Sequence, residues 1–500
     1  MKKVIKFVKS NWILLLILFI GLFFRTYKAV DCFTYGHEQD LQAWIVKDIL
    51  FDHHPRLIGQ ETSITGLFVG PLYYYVLVFF FLIFRFNPIS SIIPITLVSL
   101  ATIASVYIVG SKLFGKVTGI IASFIYAISL NIVFLDRWAV PTQTTLIWTV
   151  WFFYAAISFV RGNVKHLPVL IILFALIWHV HIALLPLFLA IPIAFLLSGK
   201  SLFKAIKKIN AKELFFSAII SFFLLLPLIL FETRHGYQQI RGLMNSFSVE
   251  KGVMTGIYKL QIILENVSRV LGEAVFYHFP LKLPLIYIVP SFFVIFLMIL
   301  IFLVKKNVLK LGEVSIFMLW LLIVISSHYF AKHAITEYYF NNLIIISVMV
   351  FSLFLSHLFC QKKLQKPMVF LAILFFLFNL KGLLLKPVPK GEFVDKNAAV
   401  KFIAKDYVRN GFNCVGINYI GPLGVSYGYR YLFWKNNVKL VAPGNDVPVY
   451  SVVNPYLISE KEIAENFGDI GVILPRNTKS NISVCNNPSR QLLPLNGFTN

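Results

Sequence analysis

Two carboxylates and one histidine cluster at residues 35–40, YGHEQD, with the types and spacing needed for proton transfer. His37, Glu38 and Asp40 begin a stretch whose apolar residues have helical spacing, so the sequence predicts an amphipathic helix over 38–51. Carboxylates in the first turn of a helix are stabilised by its dipole, which is the structural alternative to a chemical role. On a membrane surface, Glu38 or Asp40 would instead serve as a general base for a substrate at the headgroup level.

Further polar clusters follow along the chain and suit a phosphate and a polar sugar. Guanidinium and ammonium groups bind phosphate, which makes Arg137, Arg234 and Lys332 the candidates for that role. The candidate substrate-binding residues are His37, Tyr73, Tyr74, Asp136, His181, His235, Glu337 and Tyr338. Taken singly, each cluster has a structural explanation, such as an aromatic belt, a snorkelling charge or a hydrogen-bonded core histidine. The functional interpretation depends on the clusters converging on one face.

The elements that must position these residues are membrane helices. The chain has 500 residues, of which 58% are hydrophobic and 14% charged, and its mean hydropathy is +0.77. A soluble domain carries about 25% charged residues, and disordered chains are poor in aromatics, whereas this one has 50 Phe. The composition therefore predicts a polytopic α-helical membrane protein. The net charge of +24 lies mostly between apolar runs, which argues against nucleic-acid binding.

Apolar runs predict about 11 to 12 transmembrane helices, because a span needs roughly 20 apolar residues. The runs are 11–30, 91–110, 117–135, 142–160, 167–184, 185–199, 213–231, 283–304, 312–330, 338–358 and 367–385. A further run, 67–86, is predicted to lie in the interface without crossing. With that assignment, 19 basic residues and only two acidic ones fall in the segments facing the cytoplasm, as the positive-inside rule requires.

This topology retains residues 1–30 as an anchor, with the N-terminus in the cytoplasm of a prokaryotic cell. Twelve of the 14 carboxylates in residues 1–386 then lie on the extracytoplasmic side, in a first loop at 31–66, a large loop at 232–282 and shorter turns. Two domains are predicted: the membrane domain 1–386 and an extracytoplasmic α/β domain, 387–500. The second contains a helix-like stretch, 392–409, and strand-like stretches at 413–419, 438–442 and 469–474. Cys414 and Cys485 lie in it, as a disulfide or as two free thiols.

These features resemble the membrane glycosyltransferases of the C superfamily, especially family 39, which includes protein O-mannosyltransferases and the aminoarabinose transferases of lipid A. The resemblance rests on residues 1–340. It is carried by His37-Glu38-Gln39-Asp40 in the first outer loop, Pro-Leu-Tyr-Tyr-Tyr, the basic turn Lys112–Lys116, and Asp136-Arg137. It implies that a first-loop carboxylate, Glu38 or Asp40, acts on the acceptor. It also implies that Arg137 contacts a lipid phosphate.

The predicted function is transfer of a hexose or pentose from a polyprenyl-phosphate donor to a protein, lipid or glycan on the extracytoplasmic face. Direct displacement would invert the anomeric configuration. The scheme requires no cofactor, because Arg137 with Arg234 or Lys332 can stabilise the leaving phosphate. Oligosaccharyltransferases of the same superfamily use a divalent metal, so metal dependence is left open. The alternatives are a transporter or flippase of lipid-linked glycans, which predicts an inverted repeat and a midplane site, and a sensor.

Overall fold

The computed structural model describes residues 2–62, 64–199, 209–245, 255–276, 285–332, 335–422, 424–457, 462–476 and 482–498. Most of these residues are helical, because a chain in lipid must satisfy its backbone hydrogen bonds within its own segments. The helices are α1 (Lys2–Thr26), α2 (His37–Phe51), α3 (Leu72–Ile83), α4 (Ile92–Phe114), α5 (Lys116–Ile128), α6 (Leu130–Asp136), α7 (Thr145–Val160), α8 (Leu167–Val180), α9 (Ala190–Leu197), α10 (Ala211–Arg234), α11 (Gln238–Asn245), α12 (Gly256–Phe276), α13 (Leu285–Lys305), α14 (Leu311–Phe330), α15 (Asn342–Phe359), α16 (Gln365–Leu385), α17 (Phe393–Arg409), α18 (Arg430–Lys435) and α19 (Ile482–Cys485).

The chain is an integral, multi-pass membrane protein. Among the described residues, six helical segments are long and apolar enough to span a bilayer: Pro88–Phe114, Pro141–Val160, Ala211–Arg234, Leu311–Phe330, Asn342–Phe359 and Lys362–Leu385. The bent pair α5–α6 makes a seventh, and shorter apolar helices cover Asn11–Thr26, Leu72–Ile83, Val164–Val180, Ile182–Leu197 and Pro290–Lys305. Leaving out Leu72–Ile83, these segments coincide with the eleven predicted runs. Residues 283 and 284 of one run lie outside the described residues, as do 246–254 and 277–282 of the large loop.

The run 117–135 is not the single straight helix that its hydropathy predicts. It bends by 67° at Ser129, whose backbone angles (φ −59°, ψ 119°) are not helical, and so divides into α5 and α6. Leu130, whose amide begins α6, donates to the side-chain oxygen of Asn379 at 3.1 Å. Asn379 lies on α16, 249 residues away, and is 1% exposed. A backbone break inside a membrane is tolerated when a neighbouring helix supplies the missing partner.

A buried ion pair lies beside the break between α5 and α6. The Arg25 guanidinium on α1 contacts the Asp136 carboxylate at 2.7 Å, and both side chains are almost fully buried. It also donates to the carbonyls of Tyr126 (3.2 Å) and Ala127 (2.6 Å), in the last turn of α5. Asp136 in turn accepts from the Ser99 hydroxyl at 2.5 Å and from the Tyr126 hydroxyl at 3.1 Å. The pair thus joins α1, α4, α5 and α6.

Helix α3 is too short to span a bilayer, and both of its ends return to the first outer loop or to the C-terminal domain. Its 12 residues rise about 18 Å, against a hydrocarbon core of about 30 Å. Near its start, the Tyr75 hydroxyl donates to the carbonyl of Arg56 (2.9 Å). After its end, the carbonyl of Phe86 accepts from the Tyr431 hydroxyl (2.8 Å). This geometry supports the prediction that 67–86 does not cross the membrane.

The C-terminal domain is a small α/β unit that follows α16. Strands β1 (Gly416–Ile420), β2 (Val449–Val453), β3 (Glu465–Phe467) and β4 (Ile470–Ile473) form one sheet in the order β1-β2-β4-β3. The β1–β2 pair is parallel and the other two pairs are antiparallel. The predicted helix 392–409 corresponds to α17, and the predicted strand stretches correspond to β1, β4 and an isolated bridge at Leu440. A disulfide joins Cys414 to Cys485.

One apolar core is shared by the C-terminal domain and the first outer loop. The cluster includes Leu41 and Val46 of α2, Phe81 of α3, and Phe393 and Leu432 of the C-terminal domain. A separate cluster fills the space between the membrane helices. The first outer loop and the C-terminal domain bury their apolar faces against each other. As a result, residues that follow α2 by more than 340 positions pack against it. The residues in the first turn of α2 are therefore positioned by both domains.

Candidate active site

A polar chamber lies against the first turn of α2. Its volume is about 340 Å³, and its lining is His37, Glu38, Leu41, Gln60, Glu61, Thr62, Val69, Trp138, Val140, Pro141, Thr142, His181, Tyr338, Asn496 and Gly497. These residues come from the first outer loop and the segment before α3, the turn after α6, the junction of α8 with the following 3-10 helix, the 3-10 helix Glu337–Phe340, and the end of the C-terminal domain. The chamber unites four of the predicted site residues, His37, Glu38, His181 and Tyr338.

The side chains of the four residues His37 to Asp40 differ in what they contact. The His37 ring donates through Nε2 to the carbonyl of Asn496 at 2.9 Å. The Gln39 amide donates to the carbonyl of Ala139 at 3.2 Å, and its oxygen accepts from the Gly36 amide at 3.0 Å. Gln39 therefore caps α2 and ties it to the turn that contributes Trp138, Val140 and Pro141 to the chamber. Glu38 alone of the four presents a carboxylate to the cavity.

Burial changes the proton affinity of Glu38 in the direction that suits a base. The side chain is partly buried in the chamber wall, and this desolvation raises the pKa of Glu38 above its ordinary value. A carboxylate with a raised pKa takes a proton from a hydroxyl more readily than a solvated one, because its charged form is destabilised. Glu61, the second carboxylate of the chamber, uses one oxygen to accept from the Gly66 amide at 2.6 Å.

Asp40 lies away from the chamber, beneath the C-terminal domain. Its carboxylate is 1% exposed and accepts from the amides of Arg430 and Tyr431, both at 3.0 Å, and from the Tyr35 hydroxyl at 3.2 Å. These amides open α18, so Asp40 caps a helix 390 residues away. Burial raises the pKa of Asp40 to about 6, against the opposing effect of these hydrogen bonds and of Lys396. The two predicted catalytic carboxylates thus lie in different places: Glu38 lines the chamber, and Asp40 lies in the contact with the C-terminal domain.

An apolar groove meets the polar chamber at His181 and Thr62, which line both. The groove has a volume of about 570 Å³. Its remaining lining residues are Ile64, Ile182, Ala183, Leu185, Pro186, Leu189, Leu243, Leu322, Ile323, Ser326, Ser327, His328, Phe330, Ala331 and Tyr339. It runs between α14, the 3-10 helix Ile182–Leu189 and α11. Among the described residues, neither lining contains a lysine or an arginine.

His181 is held as a hydrogen-bond donor at this junction. Its Nδ1 accepts from the Ala183 amide at 3.1 Å, so the proton of the neutral ring lies on Nε2. The ring lies between two tyrosines, with its centre 5.5 Å from that of Tyr338 and 5.1 Å from that of Tyr339. Its neighbour His179 is instead a packed core residue. Nδ1 of His179 accepts from the Leu72 amide, and Nε2 donates to the carbonyl of Leu224.

Glycine is required where α3 begins beside His179. A Cβ built on Gly70 would lie 2.2 Å from Nδ1 of that ring. The close approach allows the Gly70 amide to donate to the carbonyl of Trp178 at 2.7 Å. This hydrogen bond fixes the backbone just before the Pro-Leu-Tyr-Tyr-Tyr segment, residues 71–75. In that segment, the Tyr74 hydroxyl donates to the side-chain oxygen of Gln60, a chamber residue, at 3.2 Å. The centre of the Tyr73 ring lies 5.9 Å from the centre of the Tyr74 ring.

Other predicted site residues lie outside the chamber. The Arg137 guanidinium donates to the carbonyls of Phe24 (2.5 Å) and Tyr27 (2.9 Å), where it caps the end of α1. Asp136 is fully buried in its ion pair with Arg25 and does not line the cavity, which gives it a structural place rather than an open substrate position.

Four more predicted residues lie at or just beyond helix ends and are exposed. Arg234 and His235 are exposed at the end of α10, and the His235 ring stacks on Phe231. Glu337 is 75% exposed and pairs with Arg269 at 2.9 Å. Lys332 is exposed and follows Ala331, a groove residue.

Sequence reasoning did not single out several chamber residues: Gln60, Glu61, Thr62, Trp138, Thr142 and Asn496. Glu61 and Thr62 occur in the first outer loop, and Trp138 and Thr142 follow closely after Asp136-Arg137. No local pattern identifies Asn496, which reaches the site from the C-terminal domain. Within the described ranges, no group of three or more His, Cys, Asp or Glu side chains is arranged to hold a metal ion.

Residues 69–231 match the family described as dolichyl-phosphate-mannose-protein mannosyltransferase. No curated protein sequence matches the chain. Among solved structures, the chain is similar to ArnT from Cupriavidus metallidurans bound to undecaprenyl phosphate. The identity is 10%, the match covers 96% of this chain and 99% of that one, and the TM-score is 0.56. It is also similar to the oligosaccharyltransferase AglB from Archaeoglobus fulgidus in complex with an inhibitory peptide and a dolichol-phosphate. There the identity is 12%, the coverage 89% and 70%, and the TM-score 0.44.

The predicted resemblance is confirmed: the chain has the fold of the membrane glycosyltransferases of the C superfamily. The family match begins at Val69 and ends at Phe231, so it includes α3 to α10 and the turn with Trp138.

Proposed function

We propose that this chain, which has the C-superfamily fold, transfers a sugar from a polyprenyl-phosphate donor to a hydroxyl acceptor, with Glu38 as the general base. The acceptor is a protein, a lipid or a glycan on the extracytoplasmic face. One observation carries the proposal: a carboxylate whose pKa is raised by burial lines a polar chamber that shares Thr62 and His181 with an adjoining apolar groove. A substrate with a sugar at one end and an isoprenoid chain at the other matches both compartments.

The groove suits the lipid part of the donor. Its lining is dominated by aliphatic and aromatic side chains, and a polyprenyl chain gains free energy by contact with them. The phosphate then lies at the junction, within reach of the Nε2 donor of His181 and the hydroxyl of Thr62. Lys332, directly after the groove residue Ala331, is the nearest exposed cation in sequence and remains our candidate for phosphate binding.

Transfer is a single displacement at the anomeric carbon. Glu38 takes the proton of the acceptor hydroxyl as its oxygen forms a bond to the anomeric carbon. The bond between that carbon and the phosphate oxygen breaks, and polyprenyl phosphate leaves with the electron pair. Attack from the face opposite the phosphate inverts the configuration. Hydrogen-bond donors at the junction stabilise the charge that develops on the phosphate.

The outer location of the site is supported by the chemistry of the C-terminal domain. Disulfides persist in oxidising compartments, and Cys414 and Cys485 form one in this domain. The domain contacts α2 through Asp40 and the shared apolar core, so the chamber lies on the same side of the membrane. The lysine-rich turns between helices then face the cytoplasm, in agreement with the positive-inside rule.

A transfer assay on the protein in lipid nanodiscs tests the proposal. Labelled undecaprenyl-phosphate mannose, glucose and aminoarabinose are supplied as donors, with a membrane extract as the source of acceptor. We expect label to leave one donor with the wild type and to remain with Glu38→Gln. Glu61→Gln is the matched control, because it removes the other carboxylate of the chamber. Donor that is bound or translocated but never consumed by the wild type would favour the transporter instead.

Filling the groove tests the lipid site separately. Ala183 lines the groove, so Ala183→Trp is expected to weaken binding of undecaprenyl phosphate about tenfold or more, since it places an indole where the chain would lie. Leu371→Trp on the exposed face of α16 is the control for a tryptophan added to the membrane surface. Binding is measured by native mass spectrometry or by quenching of tryptophan fluorescence. Equal affinities for both variants would place the lipid elsewhere.

A further inference from the structure

The segment Leu492–Phe498, which we call the C-terminal strap, crosses from the C-terminal domain onto the first outer loop. It is fixed at three points. The Arg430 guanidinium donates to the carbonyls of Leu492 (3.3 Å) and Leu493. His37 donates to the carbonyl of Asn496 at 2.9 Å. The guanidinium carbon of Arg56 lies 4.3 Å from the centre of the Phe498 ring. These three attachments join the strap to α2, to the loop that follows α2 and to α18.

The strap forms the wall of the polar chamber beside the base. Asn496 and Gly497 line the chamber, as do Glu38 and its helix neighbour Leu41. Gly497 has a left-handed backbone (φ +76°), and a Cβ built on it would lie 3.5 Å from Cδ2 of Leu41. The strap therefore passes so close to the first turns of α2, where Glu38 is held, that one added carbon atom would reach van der Waals contact with Leu41.

The position of the base decides which substrate meets this wall. A general base must contact the proton that it removes, so the acceptor hydroxyl lies next to Glu38. The donor lipid enters from the groove, whose junction with the chamber is marked by His181 and Thr62. The contacts that fix the strap go to His37 of α2, to Arg56 and to Arg430 of α18. The strap thus borders the acceptor end of the chamber.

We infer that the C-terminal strap forms one wall of the acceptor subsite and limits the size of the acceptor, an inference that rests on the proposed transferase function. Asn496 is the residue whose side-chain volume sets this limit. Its backbone carbonyl holds His37, so side-chain substitutions leave that bond in place. Because the strap forms part of the chamber wall beside Glu38, its removal is expected to expose the base to more water.

Acceptors of increasing size test the inference in the protein in nanodiscs. Methanol, glycerol and octyl glucoside are offered with the undecaprenyl-phosphate sugar that the wild type consumes. Asn496→Trp is expected to lower transfer to octyl glucoside about tenfold or more relative to methanol, because a single methylene in a shaped pocket already changes discrimination about tenfold and an indole is larger. Asn496→Ala is expected to raise the relative transfer to octyl glucoside. Affinity for undecaprenyl phosphate should be the same in both variants and in the wild type.

Two controls separate this inference from simple destabilisation. Leu493→Ala changes a strap side chain that is 84% exposed and does not line the chamber, so its acceptor preference should equal that of the wild type. A chain ended after Gln491 should lose donor to water faster than the wild type, because the base becomes accessible to solvent. A folded protein with an unchanged ratio of hydrolysis to transfer would contradict the inference.

The outcomes for the strap and for the transferase function are distinguishable. If the wild type transfers to at least one alcohol and Glu38→Gln does not, the function stands, and the Asn496 series alone decides the role of the strap. Equal changes for all three acceptors, or a change in affinity for undecaprenyl phosphate, would overturn the strap inference and leave the function intact. Absence of transfer with every donor in the wild type would overturn both.

Discussion

Replacement of each first-turn carboxylate by its amide should separate chemistry from architecture. Glu38→Gln keeps the shape of the side chain but removes the base. Loss of a general base lowers the rate about 10² to 10⁴-fold, which corresponds to roughly 3 to 5 kcal/mol of activation free energy. Stability should change little, because burial already disfavours the charged form of Glu38.

Asp40→Asn is expected to leave the rate within a few-fold of the wild type. The amide retains one oxygen for the amides of Arg430 and Tyr431, and it loses at least one of three hydrogen bonds. A buried donor left unsatisfied costs about 1 to 3 kcal/mol. Removal of the buried charge offsets this loss. A pKa of about 6 in place of an ordinary value near 4 corresponds to about 3 kcal/mol at neutral pH. The two contributions nearly cancel.

The assay compares initial rates of transfer at pH 7.5 for the wild type and the two variants in nanodiscs, with protein amounts matched by quantitative blotting. Thermal unfolding of each sample gives the stability. We expect the rates of the two variants to differ by about 100-fold or more, with similar melting temperatures. A stable Asp40→Asn protein as inactive as Glu38→Gln would refute the assignment of the base to Glu38 alone.

Three further outcomes are expected. The raised pKa of Asp40 means that its contribution to stability is complete below pH about 4 and is lost as the pH rises through about 6. The melting temperature should therefore fall less between pH 5 and pH 7 in Asp40→Asn than in the wild type. Removal of the disulfide by Cys485→Ser should destabilise the C-terminal domain by about 4 kcal/mol, because the disulfide closes a loop of 71 residues. A denaturant titration of the oxidised and the substituted protein measures this difference. Arg25→Met should leave a buried charge on Asp136 and cost about 3 to 5 kcal/mol, so that the yield of folded protein falls while the KM of the surviving fraction is unchanged.

The sequence predicts most of the helices, because apolar runs in a membrane protein are determined by local composition. It does not predict the bend at Ser129, since the residues that make the bend tolerable are Asn379 on α16 and Arg25 on α1. Neither is close to Ser129 in the chain. Hydropathy averaged over a window predicts one span over 117–135. The division into two helices depends on tertiary contacts, which such an average does not include.

The candidate site shows the same limit. The sequence identified the first outer loop as the place for a base, and it left Glu38 and Asp40 equivalent. What distinguishes them is the helix beginning at Arg430, whose amides occupy the carboxylate of Asp40. Likewise, the chemistry of Arg suggested a phosphate ligand at Arg137, but this guanidinium is bound to carbonyl groups at the end of α1. Residue type predicts what a side chain can bind, and the fold determines what it does bind.

The core shared by the first outer loop and the C-terminal domain has a consequence for biosynthesis. Leu41 and Phe393 belong to the same apolar cluster, and about 350 residues separate them. At a synthesis rate of about 5 to 20 residues per second, the interval between their emergence is roughly 20 to 70 s. During this time the apolar surfaces of α2 and α3 that pack on the C-terminal domain lack that partner. The chamber is therefore completed only after the last domain has left the ribosome, and a partly synthesised chain has no assembled site.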